Sequence, residues 1–385
     1  MSKLSPARKL ALDVLMEADR RGMYARDVLS SRASAKAIDQ RDSAFAARLA
    51  LGVAATQGIL DELLDQFLDK PKKVAPRVHM ALRISAFEML YLHTPGRVAV
   101  RQGVALVRSG AKSAAGLANA VLHKVAGNVE DFATASDVGE SERRLVRLSR
   151  LMGLPRWLCA RIIASFDTPE GVLNFAGNLA PAPLALHENA FATKDDPYIS
   201  QLVAPVFPGC HAPVDAQVTV ASGVFERAAA VASDLNAQLI ATAATRPGRC
   251  LEIGAGRGTK TYVMMCQAQR AGYERQHTAL DLHDRKCDQN RARLHKAGIS
   301  GVRTVSGDAC ELNEVLTSFD AMLGEPALFD TVFIDAPCSG TGTMRRHPEI
   351  PWRLTENDVT TELPKLQLTM LKEAAARVAA GGERI

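Results

Sequence analysis

The sequence predicts an α/β protein, a doubly wound, Rossmann-like parallel sheet towards the C-terminus, preceded by an all-α helical bundle. Three observations carry this. From Arg249 onward, short apolar strands at 249–253, 277–281, 301–305 and 330–334 alternate with amphipathic stretches, the mark of parallel βαβ units. A glycine-rich turn, Gly254-Ala255-Gly256-Arg257-Gly258, joins the first of these strands to the helix that follows. Upstream, residues 1–130 carry apolar residues at helical spacing and no strand signal. With 385 residues, 47% of them apolar and 23% charged, the chain can bury more than one core.

In the helical part, Leu10, Leu12, Val14 and Leu15 follow Pro6, a residue suited to the first turn of a helix. Phe45, Leu49, Val53 and Ile59 lie in a long Ala-rich stretch, and Ala81, Leu82, Ile84, Phe87, Leu90 and Tyr91 recur at helical spacing until Thr94-Pro95-Gly96 breaks the pattern. Further helices are expected at 97–110 and 114–126. Residues 127–150 turn polar and then basic and read as a linker or connecting helix. Residues 151–245, with a Pro-rich patch from Pro181 to Pro213, read as a small mixed subdomain. The expected domains are therefore 1–130, 131–245 and 246–385.

The net charge of +5 is unevenly placed: residues 1–140 hold 20 Lys and Arg against 15 Asp and Glu, whereas residues 141–385 hold 27 of each. Between 70 and 125 stand ten basic residues, among them Lys72, Lys73, Arg77 and Arg83, against Glu88 alone. A field of one sign suits a phosphate backbone. The competing reading is a solvated face balanced by Asp61, Glu62, Asp65 and Asp69.

The strongest chemical signal follows the strand at 330–334. Asp335-Ala336-Pro337-Cys338-Ser339-Gly340-Thr341-Gly342 puts a carboxylate, a rigid turn and a thiol where open α/β sheets place their ligands. Proline forces the chain out of the strand, so Cys338 is presented rather than packed. The first strand supplies Glu252 and the glycine turn continues into Thr259-Lys260-Thr261. Asp281 ends the second strand, placed to accept ribose hydroxyls, and Asp308 follows the third, either near an adenine amino group or as a helix cap. Four acids after four strands outline a nucleoside pocket. The turn suits S-adenosylmethionine better than a dinucleotide, and no Gly-x-x-x-x-Gly-Lys-Ser/Thr loop for nucleoside triphosphates occurs.

Seven cysteines, an odd number without a C-x-x-C pair, point to reduced thiols and no metal site. The N-terminal Met1-Ser2-Lys3-Leu4 enters an amphipathic pattern directly, and no stretch of about 18 uncharged apolar residues occurs. The expectation is a cytoplasmic protein with no membrane partner. Nothing in the sequence bears on oligomeric state.

Gly258-x-Lys260-Thr261, Gly307-Asp308-Ala309 and the Asp335–Gly342 segment, with Arg345-Arg346-His347-Pro348-Glu349-Ile350, resemble the motifs of the RsmB/Sun branch of RNA cytosine carbon-5 methyltransferases. Leu82-Arg83-Ile84-Ser85-Ala86-Phe87-Glu88-Met89-Leu90-Tyr91 and Asn119-Ala120-Val121-Leu122 resemble the NusB-type helical RNA-binding domain fused to it. The resemblance implies S-adenosyl-L-methionine held by Gly254, Ala255, Gly256, Arg257, Gly258, Thr259, Lys260, Asp281, Asp308 and Asp335. It implies catalysis by Asp335 and Cys338, and RNA, small-subunit ribosomal RNA by analogy, held by Lys72, Lys73, Arg77, Arg83, Arg345 and Arg346. In that branch the attacking thiol is usually a second cysteine, in a Thr-Cys motif after the fifth strand, and the Pro-Cys thiol assists product release. This sequence reaches Gly381-Gly382-Glu383-Arg384-Ile385 where the fifth strand is expected to begin. The expectation is a sheet incomplete at its C-terminal end, with 331–334 on an exposed edge, and impaired turnover. Two other readings stand beside it: an active enzyme using Cys338 as nucleophile, and a noncatalytic RNA-binding module of the NusB/antitermination type.

Overall fold

In the computed structural model, which describes residues 4–33, 39–166, 168, 171–172, 174–175, 183–192 and 195–385, helices alone build the N-terminal part. Met1 to Lys3 and Pro181, named in the sequence reading, lie outside the described residues. Two units emerge: Met1–Pro181 with Ser339–Asp358, and Ala182–Cys338 with Val359–Ile385.

The first unit contains α1 (Pro6–Arg21), α2 (Ala25–Ala33), α3 (Gln40–Asp65), α4 (Pro76–Leu90), α5 (Gly96–Arg108), α6 (Ala115–Thr134), α7 (Glu140–Met152) and α8 (Arg156–Ala164). Proline opens α1 and α4, where its missing N–H costs nothing, and left-handed Gly22 closes α1. α4 is the central helix, with Leu82, Ile84 and Ala86 fully buried. Gly52 of α3 lets it approach closely, since a Cβ there would lie 2.0 Å from Phe87 Cζ. α3 is long and apolar enough to cross a membrane by length and composition, and its Leu49, Val53, Leu60 and Leu63 are buried in this helical core. The one acid of the basic stretch, Glu88, is fully buried and accepts from Arg8 Nε at 2.8 Å.

The boundary expected at 130 falls inside α6, and of the two readings of 127–150, a linker or a connecting helix, the chain takes the helix, packed rather than merely connecting. Arg150 of α7 is the reason: 2% exposed, it donates to Asp137 and Glu62, each at 2.6 Å, and to the Phe132 carbonyl, with its guanidinium over the Phe132 ring. Composition reads such an arginine as surface charge, whereas three acceptors make it an internal tie.

The second unit continues with β1 (Leu186–Glu188), β2 (Cys210–His211), α9 (Ala216–Ala221), β3 (Ala230–Ala232) and α10 (Leu235–Ala243). The three strands form a small antiparallel sheet in the order β2-β1-β3. β4 (Gly248–Ile253), α11 (Thr259–Ala271), β5 (Arg275–Asp281), α12 (Asp284–Lys296), β6 (Val302–Ser306), α13 (Leu312–Val315), α14 (Thr317–Leu323) and β7 (Phe329–Ile334) follow. α15 (Ile350–Arg353) belongs to the first unit, and α16 (Leu363–Ala375) and β8 (Val378–Arg384) complete the second.

The main sheet is parallel, in the order β6-β5-β4-β7-β8. Leu251 and Ile253 of β4 face a core with Leu280, Leu312, Phe329, Val332 and Met370; the opposite face packs Tyr262, Val263 and Cys266 of α11 with Leu294 of α12. The exposed edge expected at 331–334 is corrected here. β8 pairs with β7, Phe329 opposite Val378 and Thr331 opposite Glu383, so a fifth strand covers it. Gly381 and Gly382 hide that strand from an apolar-run criterion, and Gly382 is needed there, since a Cβ would meet the Asp330 carbonyl oxygen at 2.9 Å. Arg377, just before β8 and 3% exposed, ties it down through Asp320 at 2.9 Å and Asn313 at 2.8 Å.

Candidate active site

The strand order reverses between β4 and β7, so their carboxyl ends frame the crevice where doubly wound sheets bind ligands. A cavity of about 360 Å³ lies there, lined by Gly254, Gly256, Asp281, Asp308, Asp335 and Pro337 and closed by Leu366 and Met370 of α16. Gly254 extends the sheet, its N–H donating to the Leu280 carbonyl at 2.8 Å. Its φ of +80° and a carbonyl oxygen of Asp335 only 2.3 Å from where a Cβ would stand leave room for glycine alone.

Asp281 shapes the turn. One carboxylate oxygen accepts from Gly256 N–H at 2.9 Å and the other from His283 N–H at 3.0 Å. Asp308 caps a short helical turn, as one of its two readings expects, by accepting from Cys310 N–H at 2.8 Å, and it also lines the cavity. Asp335 N–H donates to the Ile253 carbonyl at 2.8 Å, carrying the pairing one residue past β7, and Lys260 Nζ holds its carboxylate at 2.6 Å. The pair is well exposed, so its effect is orientation more than stability.

The other residues of the glycine turn stand away from the cavity. Ala255 is buried with its N–H on the Leu280 carbonyl; Arg257 is exposed; Gly258 packs against Asn290, whose Oδ1 occupies the place of a Cβ; Thr259 Oγ1 accepts from Arg293. Glu252 is a correction to the four-acid pocket. It alternates with Leu251 and Ile253 and therefore faces α11, where, fully buried, it accepts from Thr261 Oγ1 at 2.6 Å and pairs with His277 Nε2 at 2.8 Å. Burial disfavours the charged His277 ring, but Cys250 and Glu252 outweigh it and raise its pKa to about 9.

Cys338 is exposed, whereas Cys159, Cys210, Cys250, Cys266 and Cys287 are buried. Gln367 of α16, which sequence reading missed, donates to the Pro337 carbonyl at 2.8 Å and steadies the thiol-bearing turn. Leu366, Gln367 and Met370 share a helical face, the only signal that could have found them. Arg345 and Arg346 lie on the segment that belongs to the first unit, where the Arg346 carbonyl accepts from Arg26 Nε at 2.8 Å.

In the helical unit, Lys72 and Lys73 are exposed in the turn before α4, but Arg77 pairs with Asp13 at 3.3 Å and Arg83 with Asp61 at 2.7 Å. The exposed cations gather elsewhere. Arg97, Arg101 and Arg108 of α5, with Asn119 and His123 of α6, line a cleft of about 540 Å³. Among the described residues, no cluster of His, Cys, Asp and Glu is suited to hold a metal ion.

The profile of the NusB family matches residues 5–127 and that of the 16S rRNA methyltransferases RsmB/F matches residues 240–385. Ribosomal RNA small subunit methyltransferase B of Thermus thermophilus is 30% identical over 379 residues, covering 97% of this chain and 81% of its own. The chain belongs to the RsmB family. The probable ribosomal RNA small subunit methyltransferase B of Bacillus subtilis is 25% identical, covering 99% of this chain and 84% of its own. The crystal structure of PH0851 superposes with a TM-score of 0.75 at 16% identity, over all of this chain and 85% of that one, and shares its fold. The cofactor of the family, S-adenosylmethionine, fits the cavity. Above Gly256 the space is open, a Cβ meeting only the Gly254 carbonyl oxygen at 3.9 Å, and Asp281 and Asp308 line the same cavity.

Proposed function

We propose that the protein methylates carbon 5 of a cytosine in small-subunit ribosomal RNA, using S-adenosylmethionine. The observation that carries this is the Asp335 carboxylate, fixed by Lys260 at 2.6 Å at the switch point, three residues before the exposed thiol of Cys338. Carbon 5 of cytosine is a weak nucleophile, and a sulfur adding to carbon 6 turns the ring into an enamine. Bound S-adenosylmethionine supplies an electrophilic methyl group. Asp335 holds the base at N3 and the Cys338 sulfur bonds to carbon 6; after methylation, water takes the carbon-5 proton as the carbon-6–sulfur bond breaks, which restores the ring and releases the thiolate. The target base must leave any stack to reach this corner, which favours loops and unpaired RNA. The exposed arginines of α5 and the lysines 72 and 73 supply phosphate contacts in the helical unit.

The test uses the purified chain, unmodified small-subunit ribosomal RNA and a labelled methyl donor. Label on cytosine carbon 5 is expected, and Cys338→Ala should lower transfer at least ~10³-fold while leaving RNA binding intact. A variant that still transfers the methyl group but stays covalently attached to RNA would reassign Cys338 to product release, the role implied by resemblance. Label on another atom, or RNA binding with no transfer and no cofactor binding, overturns the proposal in favour of a noncatalytic RNA-binding module.

A further inference from the structure

Four buried side chains, one from each of β4, β5, α11 and α12, form a single chain of hydrogen bonds beside the glycine turn. His277 Nε2 and Thr261 Oγ1 both reach Glu252 Oε2, at 2.8 and 2.6 Å, and Asn290 Nδ2 donates to Thr261 Oγ1 at 3.3 Å. Glu252, Thr261 and Asn290 are wholly buried, and none of the four lines the cofactor cavity. Stability does not account for them. Glu252 stands between Leu251 and Ile253 in a strand covered on both faces, where an apolar side chain packs as well and needs no partner. Two acceptors of the chain, Glu252 Oε1 and Asn290 Oδ1, are buried without a hydrogen-bond partner, a cost that a purely structural network avoids.

The chain leads to the turn. Asn290 Oδ1 occupies the place that a Cβ on Gly258 would take, so the amide lies against the backbone there, and the Gly258 N–H donates to the Ala255 carbonyl at 3.0 Å. Two residues earlier is Gly256, where the cavity opens. Thr261 lies in the first turn of α11, directly after Lys260, whose Nζ holds Asp335. α12, which carries Asn290, begins soon after Asp281, whose carboxylate accepts from Gly256 N–H at 2.9 Å. The turn is therefore fixed at two points, at Gly256 by Asp281 and at Gly258 by Asn290. The second of these anchors is itself oriented by its bond to Thr261.

We propose that Asn290 is a positioning residue for S-adenosylmethionine: through Gly258 and Thr261 it keeps the glycine turn in the form that accepts the cofactor, without touching the cofactor. This rests on the family's cofactor and not on the target base, so a chain that binds the cofactor but leaves carbon 5 unmodified fails the proposed reaction and not this role. The test compares the full wild-type chain with Asn290→Ala, Thr261→Val and Thr261→Ser, by calorimetry with S-adenosylmethionine and by steady-state methyl transfer to RNA. Asn290→Ala and Thr261→Val should each weaken cofactor affinity roughly tenfold and raise the cofactor KM to match, with kcat within about twofold of wild type. Thr261→Ser keeps the hydroxyl and should stay within about twofold of wild-type affinity. A merely structural role lowers the urea midpoint and leaves affinity and KM in place; that result in Asn290→Ala and Thr261→Val overturns the proposal. So does an equal loss in Thr261→Ser and Thr261→Val, because shape and not the hydrogen bond then sets the turn. A fall in kcat at unchanged KM overturns it too, since Lys260 and Asp335 are then what the chain aligns. Thr261→Val keeps the shape of threonine, so it decides the question even where Asn290→Ala fails to fold.

Discussion

At the residue scale, three glycines of one turn are held to different standards. Gly254 faces a fixed backbone oxygen, Gly258 the buried Asn290 amide, and Gly256 open space, although all three have positive φ. Gly256→Ala should therefore cost only the left-handed strain, about 1 kcal/mol, whereas Gly254→Ala should cost about 3 kcal/mol and abolish cofactor binding; urea midpoints and calorimetry check both. His277 makes a pH prediction. Its pKa is raised to about 9 in the fold against an ordinary 6.5, so its contribution to stability is complete below pH 6.5 and is lost as pH rises through 9. Wild type should lose stability relative to His277→Gln over that window, and parallel curves would refute it. The carboxylates at 281, 308 and 335 stood out because Asp281 ends its strand and Asp308 and Asp335 follow theirs, and all three line the cavity at the carboxyl ends. Glu252 does not, since it lies inside its strand by one residue, and alternation turns it onto α11.

At the element scale, the apolar runs of β4 to β7 stood out because both faces of a parallel sheet are covered. β8 did not, because Val378-Ala379-Ala380-Gly381-Gly382 carries little apolar bulk and owes its place to Arg377 and to pairing with β7. Arg377→Met should cost about 3 kcal/mol by stranding Asp320, and amide exchange should show the loss in β8 before β4. Equal loss of protection across the sheet would sink that assignment. α7 was open to the sequence as a connecting helix, but its packing was not: Arg150 looks polar in sequence, and only its acceptors on Glu62, Asp137 and Phe132 reveal it as interior.

At the scale of the whole molecule, the basic excess of residues 1–140 becomes physical on α5, not at Arg77 and Arg83, which are already paired. Replacing Arg97, Arg101 and Arg108 together by Gln should lower the salt slope of RNA binding by about 2, measured by anisotropy between 50 and 200 mM salt, with no effect on cofactor affinity. An unchanged slope would move the RNA path off this cleft. The competing reading named Asp61 as a balancing acid, and Arg83 pairs with it, whereas the Asp13 partner of Arg77 was invisible to a count of charges.

The segment Ser339–Asp358 gives the helical unit a late component. Glu349 accepts from the Ala25 N–H at 2.7 Å, and Trp352 donates to the Ala55 and Gly153 carbonyls while its ring fills the space left by Gly58. During synthesis these partners are made roughly 200 to 320 residues before Glu349 and Trp352 emerge, an interval of about 10 to 60 s at ordinary elongation rates. For that time the nascent helical unit carries an open notch beside α3 and a buried-to-be amide at Ala25 without its acceptor. Its maturation is thus timed by translation of the methyltransferase motif itself, and the helical unit is finished only on chains that have already made Asp335 and Cys338.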